Sequence, residues 1–579
     1  MATVKDWTDA TNAFWKSSLG RLWSDEAMRP ARDKFNVRMT NEFAQPLDRE
    51  LKINASDYAD LVRGQVTLAL TKAEKPGKWF GFVLLIDSKD KAETLKTNLT
   101  ELRKKWTDGG RAVRTEKVRD VEFTAYQFTQ ATLQKIARKM TGKPEDAAPD
   151  PEAETNKIDV LVGQSQSLLV VGTQARDLEK ILAKQSGGTP PVLADQPVFQ
   201  ANFNALFRDA TAFAWLDFKP IFELWTAPTE GAAPALPTAR FANLTAQKLL
   251  PALGLGELKS IATRISVRPE GYDGELFFTV PEAARHGMVK ALAPPAKDAS
   301  PPPFVPADAV RFKRVRIDFQ QTWAAFESAL IKVDPAVAGF VQLLLGAAGK
   351  EGDANFDLKK SLIDSMGDDY ISYEKAAKTN GSPSLTLLGA RNPEQFLSGI
   401  RMIMRMLPEP IGTTSMSERE FLGRKIHTMN LGPGNQMLLA ANGAYIAISS
   451  DPAMLEEYLR SNEAPPKPLR DLPGLADAAQ KVGGQTTGWF SFHQQTETMR
   501  QRIAEAKANP DHEPPPPSML SALNPFEDLM PDIMDWIDTP SLPPFDRIAK
   551  YFHFLLTTGS TTPDGISFKL SAPTPPALK

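Results

Sequence analysis

"QSLLVVGTQARDLEKILAK", from Gln166 to Lys184, and "GAYIAISSDPAMLEEYLRS", from Gly443 to Ser461, follow one plan. Each begins as an apolar run with strand character. Each then turns a polar corner and continues as apolar residues three and four apart, the spacing of one helix face. A chain that repeats a strand–corner–helix unit so far along its length calls for a search for a longer repeat.

The repeat extends in both directions. "WFGFVLLIDSKDKAETLKTNLTELRKKW" from Trp79 corresponds to "PSLTLLGARNPEQFLSGIRMIMRML" from Pro383. Ala92, Leu95, Leu99, Leu102 and Trp106 mark one helix face, and Phe396, Ile400, Ile403 and Leu407 mark the other. Ser88 and Asn392 are placed to cap these helices through a side-chain oxygen. Upstream, "LVRGQVTLAL" (Leu61–Leu70) answers "LIDSMGDDYISYE" (Leu362–Glu374), and "VKDWTDATNAFWKS" (Val4–Ser17) answers "IDFQQTWAAFESA" (Ile317–Ala329). Downstream, "TAFAWLDF" answers "TTGWFSF", and "ISVRPEGYDGELFFTV" answers "LLTTGSTTPDGISFKL". Asn442-Gly443, Asp273-Gly274 and Asp564-Gly565 read as hairpin turns.

The resulting expectation is an internally duplicated α+β protein. Two modules each carry a mostly antiparallel sheet covered on one face by helices. The first module spans 1–292, a proline-rich spacer 293–308, the second module 309–572, and a disordered tail 573–579. The second copy has "ADAVRFKRVRIDF" before its first helix where the first copy has only "ATVKD", so the first strand reads as truncated. A longer precursor carrying an export signal is the corresponding expectation.

Composition narrows the function classes. Basic residues number 68 and acidic 70, so no cationic surplus exists to neutralise nucleic acid. There is no cysteine, which excludes disulfides and thiolate chemistry and suits an oxidising compartment. No apolar run is long enough to span a membrane. No metal or cofactor motif is found: the five histidines share no helix face, and His427 and His553 lie in strand-like runs. "LLLGAAGKEGD" (Leu343–Asp353) misses phosphate-loop spacing, and "GQSQS" (Gly163–Ser167) lacks the last glycine of a nucleophile elbow. "SKDK" (Ser88–Lys91) has no partner motif. Two acidic groups, Asp368, Asp369 and Glu374, and Asp528, Asp532 and Asp535, read as charged faces that could take a divalent cation or a basic partner. Met402, Met404 and Met406 read as core.

"FWKSSLGRLWSDEAMRP", "LLVVGTQARDLEKIL", "TAFAWLDFKPIF" and "GYDGELFFTV" give the chain a family likeness. It resembles a group of uncharacterised exported or lipid-anchored bacterial proteins, grouped by a domain of unknown function with the serial number 3352. The resemblance implies an extracytoplasmic setting, in the periplasm or cell envelope, and supplies no catalytic residue. The functional expectation is a non-enzymatic binding or scaffolding protein whose partner is a protein or envelope component. A hydrolase with a site assembled only in three dimensions and a lipid or apolar-ligand binder are the alternatives. The hairpin ends at Gln164, Gln166, Asn442 and Gly443 are the candidate rim of a cleft between modules, because loops not needed for folding are free to carry recognition.

Overall fold

The computed structural model describes residues 1–73, 80–132, 134–135, 156–227, 245–347, 350, 355–377, 382–406, 416–432, 435–484, 486–508 and 539–579. The fold is α+β around one large antiparallel sheet. Strands of the first half are β1 (Ala2–Val4), β2 (Val66–Lys72), β3 (Phe80–Asp87), β4 (Val113–Val118), β5 (Val121–Thr129), β6 (Lys157–Ser165), β7 (Leu168–Gly172), β8 (Ala212–Asp217), β9 (Ser260–Arg268) and β10 (Gly271–Thr279). Those of the second are β11 (Arg311–Arg316), β12 (Met366–Glu374), β13 (Ser384–Ala390), β14 (Met416–Phe421), β15 (Arg424–Gly432), β16 (Asn435–Asn442), β17 (Tyr445–Ser449), β18 (Trp489–Gln494), β19 (Phe554–Thr561) and β20 (Gly565–Pro573).

In the first half the spatial order is β4-β5-β6-β7-β3-β2-β1-β8-β9-β10. In the second it is β14-β15-β16-β17-β13-β12-β11-β18-β19-β20. The two orders are the same, and β10 pairs with β20 to join them. The residue pairings also correspond. Val4 pairs with Val66 and Ala212, as Val315 pairs with Tyr370 and Trp489. Following the ladders carries Ile265 onto Gly559 and Gly274 onto Phe568. At the junction Gly274 faces Leu570 and Leu276 faces Phe568, so a local two-fold axis passes through the facing pair Glu275 and Lys569.

Period-two alternation sorts the side chains onto two faces. On one face Val83, Ala125, Leu161 and Val170 pack under helix Ala175–Gln185 through Leu178 and Leu182. Trp106 and Leu102 of helix Ala92–Asp108 pack on Tyr126 and Val162 of the opposite face. The second half repeats this. Leu387, Ala440 and Ala447 lie under helix Pro452–Arg460, and Leu388, Leu439 and Ile446 under helix Pro393–Met406. Helices on one face only is therefore corrected to helices on both. The strands carry apolar residues at odd and even positions alike, so each face has surface to bury. The outer edges, β4 and β14, carry Arg114, Glu116 and Lys117, and Glu418, Arg419 and Glu420, charges that discourage edge-to-edge association.

Several local readings change. The stretch 293–308 is packed against the second half: Ala299 and Val305 are fully buried, and the amide of Leu469 donates to the Val305 carbonyl. Its apolar residues between prolines give it something to bury, which a spacer would lack. The tail 573–579 is ordered. Pro573 pairs with Gly271, the Thr574 amide donates to the Glu270 carbonyl, and Leu578 packs beside Tyr551. Asp273-Gly274 lies inside β10, and Pro269-Glu270 makes the turn instead, while Asp564 does lie in the β19–β20 turn. The Ser88 hydroxyl donates to the Ser167 carbonyl at 2.7 Å and caps nothing, whereas Asn392 accepts from the Gln395 amide at 3.2 Å as a cap. The Lys143–Asn156 insertion except Asn156, most of 227–238, the 508–518 insertion except Ala508, and Asp528, Asp532 and Asp535 lie outside the described residues, as do the side chains of Met404 and Met406. Met402 packs in the core beside Phe396.

Candidate functional site

The strands flanking the junction carry polar residues at alternate positions. β9 presents Arg264, Ser266 and Arg268; β10 presents Asp273 and Glu275; β20 presents Ser567, Lys569 and Ser571. Period two places all eight on the face that holds Phe213, Trp215 and Ala262. Above this stripe, a cavity of about 370 Å³ is lined by both halves. One wall follows helix Pro197–Asn202 and its extension to Phe207, and contributes Asn204, Arg208 and Asp209. The other is the end of helix Leu475–Lys481, with Lys481 and Val482.

The floor is a shared ion network. Arg264 donates to Asp273 at 2.7 Å and reaches Glu275 at 3.4 Å. Arg268 lies 3.5 Å from the other Asp273 oxygen, and Lys569 lies 4.0 Å from Glu275. The Ser567 hydroxyl donates to Glu275 at 2.7 Å. Glu275 is only 6% exposed, so a buried carboxylate must have such partners. Three cations therefore share two carboxylates. The side chains of Arg208 and Lys481 have no ion pair or hydrogen bond among the described residues.

A second polar cluster is buried in the other half. Asp369, 6% exposed, accepts a two-pronged contact from Arg314 at 3.0 and 2.7 Å, one from Arg316 at 3.1 Å and one from the Tyr445 hydroxyl at 2.7 Å. Arg314 also donates to the Ser300 carbonyl at 2.9 Å, and Lys297 pairs with Asp368 at 2.5 Å. The cluster thus fastens segment 297–300. At the corresponding pairing positions of the first half, Thr3, Gln65 and Thr67 form a neutral hydrogen-bonded group. The carboxylates of "MGDD" are engaged by arginines of β11, which answers the cation-site reading of that motif.

The histidines are dispersed. His286 leads into helix Gly287–Ala291, and His512 lies outside the described residues. His553 precedes β19 rather than lying in it. His427 in β15 is buried between Arg401, whose Nη2 lies 2.7 Å from Nε2, and Glu418. His493 in β18 bonds Thr498 at 2.7 Å. Burial holds the His427 imidazole below its usual range, with Arg401 adding, and burial pulls His493 down to about 3. Both folded-state values lie under the unfolded value near 6.5, so protons bind the unfolded chain more readily. The stability of the neutral forms is complete above about pH 6.5. It falls as pH drops, by about 1.4 kcal/mol per pH unit for each such imidazole, until the folded value is reached. The expected result is a lower urea midpoint at pH 5 than at pH 7, with a flatter pH dependence in His493→Asn.

The hairpin residues are placed as follows. Gln164 is turned inward, its side-chain amide donating to the Ala92 and Gln166 carbonyls, each at 2.8 Å. Asn442 is buried. Gln166 and Gly443 are the first turn residues of the β6–β7 and β16–β17 hairpins, with φ of 55° and 59°. The turn is therefore Gly443-Ala444, one residue later than Asn442-Gly443. None of the four lines the cavity, because β3, β2, β1, β8 and β9 separate β7 from the junction. Glutamine in a left-handed conformation is strained where glycine is not. Gln166→Gly is expected to raise stability by about 0.5–1 kcal/mol, read as a higher urea midpoint at unchanged slope.

The cavity residues escaped the sequence reading, although a signal was present. "RISVR", "YDGEL" and "SFKLS" alternate polar and apolar, the mark of a strand with one polar face. Reading Asp273-Gly274 as a turn removed the middle strand from that pattern. Comparison with protein-family models, with curated proteins and with solved structures finds no match.

Proposed function

We propose that this protein is a non-enzymatic binding module built from two diverged copies of one α+β unit, which holds its ligand or partner in the cavity at their junction. The observation that carries the reading is that cavity: both copies line it, and the charged groups of its floor are engaged with one another as ion pairs rather than as a nucleophile with a base. The identical strand orders support the duplication. A cell-envelope setting is part of the proposal, supported by the absence of cysteine, and fractionation of source cells tests it. Profiling with ester, peptide and glycoside probes tests the non-enzymatic reading. No turnover above background is expected. Turnover abolished by Lys569→Met would replace binding by hydrolysis.

A second reading, contact with lipid, draws on the helices that follow β1 and β11. Counted from their caps Asp6 and Asp318, Phe14 corresponds to Phe326, and both are exposed, as are Leu19 of the next helix and Ile331. Helix Pro335–Ala347 is uncharged and exposes Phe340 and Leu343. Exposed apolar residues repeated at equivalent places suit an apolar phase. Cosedimentation with phosphatidylglycerol vesicles, lost in Phe340→Glu/Leu343→Glu, is the expected result on this reading.

A further inference from the structure

We propose that the junction cavity binds a small organic anion, with its phosphate or carboxylate group set over the β9–β10–β20 floor; this rests on the binding reading above. The first ground is charge. On the floor Arg264, Arg268 and Lys569 share only Asp273 and Glu275, and Arg264 alone bridges both carboxylates. One positive charge is left over at the bottom of a concave site, where the screening by water is weaker than on open surface. The second ground is the walls. Arg208 and Lys481 come from opposite halves, both line the cavity, and neither spends its charge on a neighbour among the described residues. An anion entering between them meets a cation from each half and the three that share two carboxylates on the floor, and arginine is suited to grip phosphate or carboxylate with paired donors.

The third ground is size and lining. About 370 Å³ is at the small end of ligand cavities, which fits a compact metabolite and not a folded partner. Ser571 of β20 lies beside Asp273 in the pairing, adding a hydroxyl to the floor. Asp209 and Glu270 are exposed carboxylates of the lining and oppose an anion. Their presence gives the test a second sign.

The experiment is isothermal titration of the full chain with inorganic phosphate and with citrate, at constant ionic strength, beside a chloride control. Saturable binding of at least one probe at one site per chain is expected. Arg208→Gln/Lys481→Gln is expected to weaken it at least tenfold, and Asp209→Asn to strengthen it. All three positions are exposed, and near-ultraviolet circular dichroism verifies that the variants fold. Lack of saturable binding by either probe overturns the proposal, as does unchanged affinity in the double variant. The titration and the turnover profile report separately. A failed titration without turnover removes the anion and leaves a binding module, whereas turnover removes the binding module whatever the titration shows.

Discussion

Replacing Asp369 by alanine is expected to destabilise the second half by about 3–5 kcal/mol, the range for stripping one partner from a buried ion pair. The carboxylate accepts from Arg314, Arg316 and Tyr445. Without it, Arg314, only 8% exposed, loses its two-pronged partner and keeps as a carboxylate partner only Asp298 at 3.6 Å, while Arg316 keeps Asp368 at 2.9 Å. Segment 297–300 is then expected to loosen first, since Arg314 fastens it through the Ser300 carbonyl. Urea unfolding followed by fluorescence measures the total loss, and hydrogen exchange at 297–310 locates it. A loss under 1 kcal/mol would mean that the cluster is hydrated. The double variant Arg314→Met/Asp369→Leu should recover much of the loss, because a neutral group fills the corresponding place in the first half.

The second large effect is expected at the junction. Gly271 has a φ of 135°, a conformation open to glycine and strained for other residues, and a β-carbon there would collide with the Ala572 carbonyl of the facing strand. Gly271→Val is expected to cost roughly 2–5 kcal/mol, from the backbone conformation and the overpacking together. Because Gly271 pairs with both Arg268 and Pro573, the damage falls on the seam. Amide protection should drop at 271–279 and 565–573 while that of β5, β6, β15 and β16 persists. The cavity shares the same strands, so this variant should also lose anion binding. Retained protection across the seam would show that the β10–β20 pairing does not hold the halves together.

The helix faces and the two strand–corner–helix stretches were legible in the order of residues. Leu95, Leu102 and Trp106 recur at helical spacing, and all three are buried. "QSLLVVGTQARDLEKIL" and "GAYIAISSDPAMLEEYL" each become the second strand of a hairpin followed by a helix on the same face. These features are local. They depend on side chains a few residues apart, so period and capping chemistry determine them without reference to the rest of the chain. The class of fold follows from the same information, since short connections between apolar runs favour antiparallel neighbours.

What only the tertiary structure decided is how distant segments meet. The sequence alone contains nothing to show that β10 pairs with β20, because edge pairing is made by backbone groups that every residue carries. Once it forms, Glu275 faces Lys569 and the alternate polar residues of three strands become one floor. Nor does composition show where the proline-rich stretch 293–308 packs. Its place is set by Asp368 and Arg314, side chains that reach it only after β11 and β12 have paired. The Asp564 turn was visible, and the Asn442-Gly443 turn to within one residue, because their signal lies within four residues, whereas Asp273-Gly274 carries the same signal inside a strand. The cavity was not, because its lining is drawn from stretches as far apart as Asn204 and Ala572, and distance along the chain carries no record of contact in space.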